Sequence, residues 1–455
     1  MKVKLILPAL DESKSPFWRP IKYSLFPPLG LATLAAHFSA DDELELVDQH
    51  VEELVLDDRP DIVLIQVYIT NAYRAYRIAD HYRSKGSLVL LGGLHVTALP
   101  DEAQKHADVI FLGPADEALP RFLRDLKNGS YAKRYVSAER QIKDLPKIRR
   151  DLIKRNKYLV PNSLVVSRGC PHHCSFCYKD SFYAGGKSFY TTTIDSALEE
   201  INSLPGKHLY FLDDHLFGNY KFASNLFDSM IGMNRVFQAA ATVESILTGD
   251  IVEKAQAAGL RSLFVGFETL SENNLRSSNK TQNLKRNYEQ AVKKLHDLGI
   301  MINGSFVFGM DDDDKDVFSR TVDWATRNSM TTCTFHIMTP YPGTELFKRL
   351  EAEKRIRTYE WNRYTTREAV YQPRKMSKEE LESGYSWAYT EFYKWNNIVK
   401  SSLGNQLLHH RLKHFAYTAG WKKFESLWNI LIKLNHLNDA IPLLERILTT
   451  DKMSK

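Results

Sequence analysis

Three of the four cysteines in this 455-residue chain lie in one short segment, ‘GCPHHCSFCYK’, at residues 169–179. They are Cys170, Cys174 and Cys177, and the fourth, Cys333, lies far along the chain. Such clustering differs from the dispersed, even-numbered cysteines of a secreted disulfide protein, so we expect free thiols rather than disulfides. Free thiols at this density indicate a metal-binding segment.

Two kinds of metal centre can use these thiolates. A structural zinc ion requires four ligands, and His172 or His173 would have to supply the fourth from within the same tight segment. A [4Fe–4S] cluster accepts a cysteine thiolate at each iron, so three cysteines leave one iron open to another ligand. The cluster is favoured, and zinc is the minor alternative.

The cysteines directly follow the first of six predicted strand–helix units. We predict the strands of these units at 163–168, 208–214, 236–243, 262–268, 302–309 and 331–337. Six such units in succession indicate a partial (β/α)6 barrel of parallel strands, in which functional residues lie on loops at the carboxyl ends of the strands. The cysteines are therefore placed at the mouth of the predicted barrel.

A separate α/β domain precedes the barrel. Apolar strands predicted at 3–8, 44–48, 61–69, 87–93 and 108–113 alternate with helical patterns. This alternation indicates a doubly wound, Rossmann-like parallel sheet, whose ligands lie beyond the carboxyl ends of the strands. At that edge Gly92, Gly93 and Gly113 would let a ligand approach the backbone, although ordinary strand-to-helix turns explain them equally well.

The composition indicates a globular protein of two or three domains. Its residues are 43% hydrophobic and 25% charged, and we find neither a run of about 18 apolar residues nor a signal peptide, so we expect a cytoplasmic protein. The net charge of +6 does not demand a nucleic-acid partner. A basic and aromatic stretch, 409–436, ends a helical C-terminal region. It either packs on its own protein with its lysines in water, which we favour, or lies on a membrane surface.

The cysteine motif has the form C-x3-C-x-aromatic-C, with Phe176 before Cys177 and ‘RGCP’ at 168–171. In this form it resembles the cluster loop of the radical S-adenosylmethionine enzymes. The resemblance implies that S-adenosylmethionine chelates the open iron through its amino and carboxylate groups. It also implies reductive cleavage to methionine and a 5′-deoxyadenosyl radical, which abstracts hydrogen from an unactivated carbon.

The same resemblance assigns roles to residues at other strand ends. Asp213 and Asp214 stand where the family carries a Gly-Gly-Glu-like motif that contacts the methionine amino group. Glu268 occupies the position of a ribose or methionine contact, and Val307 and Gly309 would flank the adenine. Because a carboxylate is a suitable acceptor for an ammonium group, the departure from Gly-Gly-Glu is mild.

The chain contains, in this order, an α/β domain, a six-unit barrel, the segment ‘TPYPGT’ at 339–344 and a helical tail. This order resembles the cobalamin-binding branch of the same superfamily. The resemblance implies that cobalamin lies with its lower face against ‘QVYITN’ (66–71) and its tail along the glycine-rich edge. The implied contacts are Tyr68, Thr70, Gly92, Gly93 and Gly113.

No histidine is identified as a cobalt ligand. The D-x-H-x-x-G motif of cobalamin-dependent mutases is missing after the first strand, which ends in ‘PALDESKSPFW’. The approximation ‘DQHVEE’ contains Asp48 and His50, which we interpret as a polar strand end. The domain therefore binds cobalamin without a protein histidine, or it has kept its fold and lost the cofactor.

We divide the chain into a cobalamin-binding-like domain (1–135), a linker (136–160), the barrel with its cluster (161–360) and a mainly helical domain (361–455). The resemblance favours C-methylation of a natural product or lipid. Radical cyclisation, rearrangement or oxidation without methyl transfer is the first alternative, and a non-catalytic iron–sulfur protein is the second. The expected partners are the small-molecule or lipid substrate and a one-electron donor such as flavodoxin or ferredoxin. Peripheral membrane contact through the basic C-terminal helices is left open.

Overall fold

The computed structural model describes residues 1–10, 21–137, 145–405, 407–423, 430, 431, 442 and 445. Most of ‘PALDESKSPFW’, part of the linker and most of the basic stretch after Lys423 lie outside these residues. The described residues form two six-stranded parallel sheets, with further helices near the C-terminus. The predicted α/β fold class is confirmed.

The first sheet has helices on both faces. Its strands are β1 (Lys2–Leu7), β2 (Glu43–Asp48), β3 (Ile62–Gln66), β4 (Leu88–Gly92), β5 (Val109–Leu112) and β6 (Arg134–Val136). Its helices are α1 (Leu29–Ala35), α2 (Ala72–Ser84), α3 (Leu94–Ala98), α4 (Pro100–Ala103) and α5 (Ala115–Lys127). The strand order β2-β1-β3-β4-β5-β6 reverses direction between β1 and β3, and ligands of such sheets lie beyond that point. Sequence reasoning missed β6, because three residues are too short to show a pattern.

The second sheet and a small ribbon form the barrel region. The strands are β7 (Ser163–Leu164), β8 (Ser167–Gly169), β9 (Phe189–Thr191), β10 (His208–Phe211), β11 (Val236–Thr242), β12 (Leu260–Glu268), β13 (Met301–Phe308) and β14 (Thr332–Ile337). The main sheet has the order β14-β13-β12-β11-β10-β7, whereas β8 pairs only with β9, in an antiparallel ribbon. The predicted partial barrel of six parallel strands is confirmed.

Helices connect the barrel strands and complete the chain. They are α6 (Lys179–Phe182), α7 (Ile194–Ser203), α8 (Tyr220–Met230), α9 (Val243–Leu247), α10 (Ile251–Ala258), α11 (Glu272–Ser277), α12 (Tyr288–Asp297), α13 (Val317–Arg327), α14 (Glu345–Ala352), α15 (Lys378–Phe392), α16 (Trp395–Leu403) and α17 (Leu408–Lys422). Ser377 caps α15, and its side chain and that of Glu380 each accept a backbone N–H from the other residue. The capping box expected from an S-x-x-E pattern is thus present.

The first barrel strand is shorter than predicted. Instead of one strand over 163–168, the chain leaves the sheet after Leu164 and forms β8 beside β9. Gly169 has φ +75°, and a Cβ there would lie 1.9 Å from the carbonyl oxygen of Ser188. Only glycine therefore allows the ribbon to close directly before Cys170, which fixes where the cysteine loop begins.

The front domain packs on the rest of the chain through both apolar and polar contacts. Trp361 and Tyr364 belong to the same buried cluster as β3 and β4, and the indole N–H of Trp361 donates to Glu102 at 3.2 Å. On the other side, Arg168 directly before the cysteine loop forms an ion pair with Asp116 of α5. The cysteine loop is thus connected to the front domain.

The helix α17 covers the end of the barrel opposite the cysteine loop. Its Tyr417 packs against Val236 and Met301, the first residues of β11 and β13. The Thr418 hydroxyl donates to the carbonyl of Thr331, directly before β14, at 2.6 Å. No helix in the described part of the chain is long and apolar enough to span a membrane.

Candidate active site

The cysteine loop leaves the β8–β9 ribbon at the mouth of the barrel. Cys174 is buried, and Cys170 and Cys177 are partly exposed. Burial raises the pKa of the Cys170 thiol to about 11 and that of Cys177 to about 12. These groups therefore need a cation beside them to be thiolates, and the iron of a bound cluster would supply that charge. In the described ranges no three His, Cys, Asp or Glu side chains converge as for a single metal ion.

A segment after α11 holds the cysteine loop from one side, and sequence reasoning missed it. The Ser175 N–H donates to the carbonyl of Ser278 at 2.9 Å. The Asn279 amide donates to the carbonyl of His173 at 2.6 Å, and that of Gln282 donates to Cys174 Sγ at 3.4 Å. The signal was present in ‘SSNKTQN’ (277–283), a polar run next to Glu268, but nothing in its spacing connects it with the cysteines.

We expect Gln282→Leu to lower the reduction potential of the bound cluster by an amount on the order of tens of millivolts. The reason is that a hydrogen bond to a coordinating sulfur favours the reduced, more negative state. A redox titration followed by electron paramagnetic resonance measures the potential. Gln104→Leu, in the front domain, is the matched control and should leave it unchanged. An equal potential in both variants would contradict the expectation.

The two aspartates after β10 take different positions. Asp213 is buried and accepts the Ser167 hydroxyl at 2.6 Å and the backbone N–H groups of Val166 and Ser167. Burial raises its pKa to about 7. Asp214 is exposed and accepts the Gly169 N–H at 3.0 Å and the Tyr178 hydroxyl at 2.7 Å. Asp213 thus fixes the start of β8, and Asp214 contacts the cysteine loop near both of its ends.

Glu268 ends β12 in an unusual backbone conformation. Its φ is +64°, and the pairing of β12 with β13 shifts register between Gly266 and Glu268. Such a conformation costs a non-glycine residue on the order of 1–3 kcal/mol and is common at functional sites. The Glu268 carboxylate binds Lys280 Nζ at 2.7 Å, with side chains 13% and 6% exposed. A Cβ on Gly266 would lie 2.6 Å from Glu268 Oε1, so glycine makes room for this pair.

We expect Glu268→Gln to destabilise the cluster-free protein by about 3–5 kcal/mol, because it leaves the Lys280 ammonium buried without its counter-charge. Chemical denaturation measures the loss. The double variant Glu268→Gln/Lys280→Met removes both charges and should regain most of the stability. If the single variant is as stable as the unchanged protein, the pair is not important for folding.

Three residues assigned to the cofactor pocket lie close together at the mouth. Phe176 and Val307 both pack against one small apolar cluster, which also contains Met310 and Tyr371. Gly309 has φ +91°, and a Cβ there would lie 2.5 Å from the Tyr371 hydroxyl. The structure thus brings the cysteine loop and the end of β13 together, as the predicted adenine contact requires.

A cavity of about 730 Å³ lies between the front domain and the barrel. Gly92, Gly93 and Gly113 line it, together with Arg150 and Arg168, whereas the predicted contacts Tyr68 and Thr70 are not in its wall. A Cβ on Gly93, at φ +116°, would lie 2.7 Å from the carbonyl of Val67, so this position requires glycine.

Asp48 and His50 of ‘DQH’ are buried and are bonded to other residues of the protein. The His50 Nδ1 lies 2.8 Å from Asp48, and its Nε2 accepts the Leu10 N–H at 3.3 Å. The Tyr158 hydroxyl donates to the second Asp48 oxygen at 2.9 Å. Both ring nitrogens have partners within the protein, which agrees with the interpretation as a polar strand end.

Known proteins resemble this chain over both halves. Residues 164–325 match the Radical SAM superfamily, and residues 23–123 match the B12 binding domain. The bacteriochlorophyllide d C-12(1)-methyltransferase of Chlorobaculum tepidum is 30% identical over 397 residues, with 84% of this chain and 85% of that protein covered. The chain belongs to the cobalamin-dependent radical S-adenosylmethionine methyltransferases.

Further relatives in this family differ in substrate. The bacteriochlorophyllide d C-8(2)-methyltransferase of the same organism is 28% identical and covers 83% of this chain and 88% of its own. The hopanoid C-2 methylase of Rhodopseudomonas palustris is 24% identical, with 73% and 66% covered. The chain is therefore an enzyme of the methyltransferase class, with a small-molecule substrate.

A solved structure of the cobalamin-dependent S-adenosylmethionine radical enzyme OxsB has the same fold. It gives a TM-score of 0.69 at 15% identity, covering 98% of this chain and 75% of that chain. The radical S-adenosylmethionine methyltransferase TsrM from Kitasatospora setae gives 0.65 at 13%, covering 93% and 99%. The cofactors of the family are a [4Fe–4S] cluster, S-adenosylmethionine and cobalamin.

The residues of this chain fit those groups. Three thiols leave one iron open, as the family chemistry requires. In the cavity wall, the Arg150 guanidinium donates to Glu200 at 2.8 Å and to the carbonyl of Ser163 at 2.8 Å. Its Nη1 is buried rather than open to the cavity, so the fit to a corrinoid rests on Gly92, Gly93 and Gly113, where the wall is backbone that a ligand can approach closely. The front domain therefore keeps a glycine-lined cavity, and the alternative that it has lost its cofactor is not favoured.

Proposed function

We propose that this enzyme methylates an unactivated carbon of an apolar, multi-ring substrate, with tetrapyrroles as the first class to test. The observation that supports the substrate class is the agreement of the two relatives at 30% and 28% identity, both bacteriochlorophyllide methyltransferases. Hopanoids, the substrates named for relatives at 24% identity, are the second class. Both classes are large, apolar ring systems.

We propose the following roles for residues at the mouth. Cys170, Cys174 and Cys177 hold the cluster, and Gln282 and Asn279 fix the loop that carries them. Asp214 accepts the methionine ammonium, whereas Asp213 acts through the backbone of β8. Glu268, oriented by Lys280, binds the ribose or methionine, and Phe176, Val307 and Gly309 enclose the adenine.

We propose that the cavity beside the mouth is the cobalamin site. Gly92, Gly93 and Gly113 give the cofactor access to the backbone at the carboxyl ends of β4 and β5. Tyr68 and Thr70 remain proposed contacts of its lower face, through the loop after β3. When bound, the three cofactors together supply a carbon-centred radical and a methyl group to capture it. The contribution of the protein is to hold the substrate between them and to exclude water.

Radical cyclisation is the second candidate reaction. A relative from Rubrivivax gelatinosus, an anaerobic magnesium-protoporphyrin IX monomethyl ester cyclase, is 24% identical over 421 residues. Rearrangement or oxidation without methyl transfer would use the same site. The non-catalytic alternative is not supported, because the Glu268–Lys280 pair and the cavity of about 730 Å³ have no use in a simple cluster carrier.

The remaining expectations about partners and organisation are part of the proposal. We propose flavodoxin or ferredoxin as the electron donor, a cytoplasmic location and peripheral membrane contact through the C-terminal helices. We also propose domains at 1–135, 161–360 and 361–455, with 136–160 as a linker. Trp361 and Tyr364 pack on the front domain. The proposed third domain would therefore begin with a segment that connects the front domain with the barrel.

One experiment tests the reaction. The protein is reconstituted anaerobically with iron, sulfide and hydroxocobalamin, and then given a reductant, a bacteriochlorophyllide and S-adenosylmethionine with a deuterated methyl group. We expect a product with one added deuterated methyl group together with 5′-deoxyadenosine. A product that has lost hydrogen without gaining a methyl group would support cyclisation or oxidation instead. If the enzyme gives no product from tetrapyrroles but methylates hopanoids, then hopanoids become the first substrate class and tetrapyrroles the second.

A further inference from the structure

The C-terminal helix α17 packs on the barrel with its polar side inward. Lys413 and His414 are 6% and 3% exposed, whereas Leu408 and Leu412 are 69% and 62% exposed. An amphipathic helix of a water-soluble protein ordinarily does the opposite. In the described residues 409–423 of this stretch the expected packing on the protein itself is present, whereas the expectation that its lysines stay in water is wrong for Lys413. The apolar side of α17 is left facing outward.

The outward apolar side continues onto α16. Trp395, Val399 and Leu403 are spaced by four residues, so they lie on one side of that helix, and they are 49%, 43% and 56% exposed. The rings of Trp395 and Phe415 are 6.1 Å apart, so the apolar sides of the two helices adjoin. We call the combined surface the hairpin face, formed by Trp395, Val399, Leu403, Leu408, Leu412 and Phe415. Contiguous exposed apolar surfaces of this kind mark interaction sites.

Lysine and arginine predominate around the hairpin face, with Glu391 pairing with Lys394 at its edge. Residues 392–424 contain six Lys and Arg residues and no Asp or Glu. The Lys423 ammonium lies 5.3 Å from the centre of the Trp395 ring, and Lys400 is exposed on α16. Protein–protein interfaces are depleted in lysine, whereas apolar surfaces rimmed by Lys, Arg and Trp are typical of helices that lie in the headgroup region of anionic membranes.

We propose that the hairpin face binds the surface of an anionic lipid bilayer. The helices α16 and α17 contact the segment before β14 and the start of β11 and β13, at the opposite end of the barrel from Cys170. The contact therefore anchors the protein and leaves the mouth of the barrel free. The proposal rests on the peripheral membrane contact proposed above, and it is independent of the reaction because binding requires neither substrate nor S-adenosylmethionine.

The test is co-sedimentation of the purified full-length protein with lipid vesicles. We expect binding to vesicles of phosphatidylcholine with phosphatidylglycerol, weaker binding at high salt, and much weaker binding to phosphatidylcholine alone. Leu408→Ser/Leu412→Ser and Lys400→Glu/Lys423→Glu should each reduce the partition coefficient by about tenfold or more. All four side chains are at least partly exposed, so the fold should tolerate these changes.

The matched control is Val55→Ser/Ile231→Ser, which removes two apolar side chains that are 57% and 54% exposed elsewhere on the molecule. It should bind vesicles like the unchanged protein. Equal binding by the control and by both hairpin variants would overturn the proposal. So would light scattering that shows Leu408→Ser/Leu412→Ser converting a dimer to a monomer while vesicle binding stays the same. Methylation of a detergent-dispersed substrate should be unchanged in the hairpin variants, which separates this proposal from the proposed reaction.

Discussion

We expect Cys174→Ala to lose the visible absorbance of the cluster after anaerobic reconstitution and to reduce 5′-deoxyadenosine formation by at least about 1,000-fold. Cys174 is the most buried of the three thiols and the one that Gln282 contacts. Without it, a cluster held by two thiolates is exposed to solvent and is lost, and an iron site open to S-adenosylmethionine no longer exists. Iron and sulfide content, the absorbance spectrum and product analysis measure the three consequences.

Cys333→Ala is the control for this experiment. Cys333 is 2% exposed in β14, where the Tyr393 hydroxyl contacts its backbone rather than its thiol. Its replacement removes one sulfur atom from the core, which costs on the order of 1 kcal/mol of stability, and should leave iron content and turnover unchanged. If Cys174→Ala binds as much iron as Cys333→Ala and still cleaves S-adenosylmethionine, the cysteine loop is not the cluster site.

We expect Gly30→Phe to block cobalamin uptake while the cluster remains. Gly30 is in the first turn of α1 and lines the cavity, and a Cβ there would meet only the Gln66 amide, at 3.7 Å or more. A phenyl ring therefore fits sterically and fills space that the corrin needs. Bound cobalamin, measured from absorbance after gel filtration, should fall by about tenfold or more. Methyl transfer should fall with it, while 5′-deoxyadenosine is still formed.

Gly420→Phe is the matched control, because a Cβ at Gly420 meets nothing within 4 Å and no residue of α17 lines the cavity. It should bind cobalamin normally. Equal cobalamin binding by both phenylalanine variants would place the cofactor elsewhere. Loss of both cluster and cobalamin in Gly30→Phe would instead indicate misfolding, and circular dichroism separates that outcome from a specific block.

The sheets and the cysteine loop could be predicted because their signals are local. Apolar runs over β3 and β4 are continuous, since helices cover both faces of the sheet. The cysteines are close in sequence because one loop must place three thiolates at neighbouring irons. The break in the first barrel strand could not be predicted in this way. It depends on Asp213, more than 40 residues later, which accepts the N–H groups of Val166 and Ser167.

The supports of the site are encoded by contacts that sequence spacing does not show. Gln282 reaches Cys174 only because β12 and the cysteine loop meet at the mouth. The orientation of α17 is similarly set by the barrel, since the Thr418 hydroxyl donates to the carbonyl of Thr331. Polar groups at the ends of the strands attract the polar side of the helix, and the apolar pattern of the helix alone predicts the reverse.

The position of α17 also limits how the protein can be shortened for crystallisation. Removing the chain from Trp395 onward would eliminate the exposed leucines that favour aggregation. It would also uncover Val236 and Met301, which are both 6% exposed with α17 in place. A truncated protein would therefore lose one exposed apolar surface and gain another, at the end of the barrel that α17 covers. Substitution of Leu408 and Leu412 is the route that keeps the barrel closed.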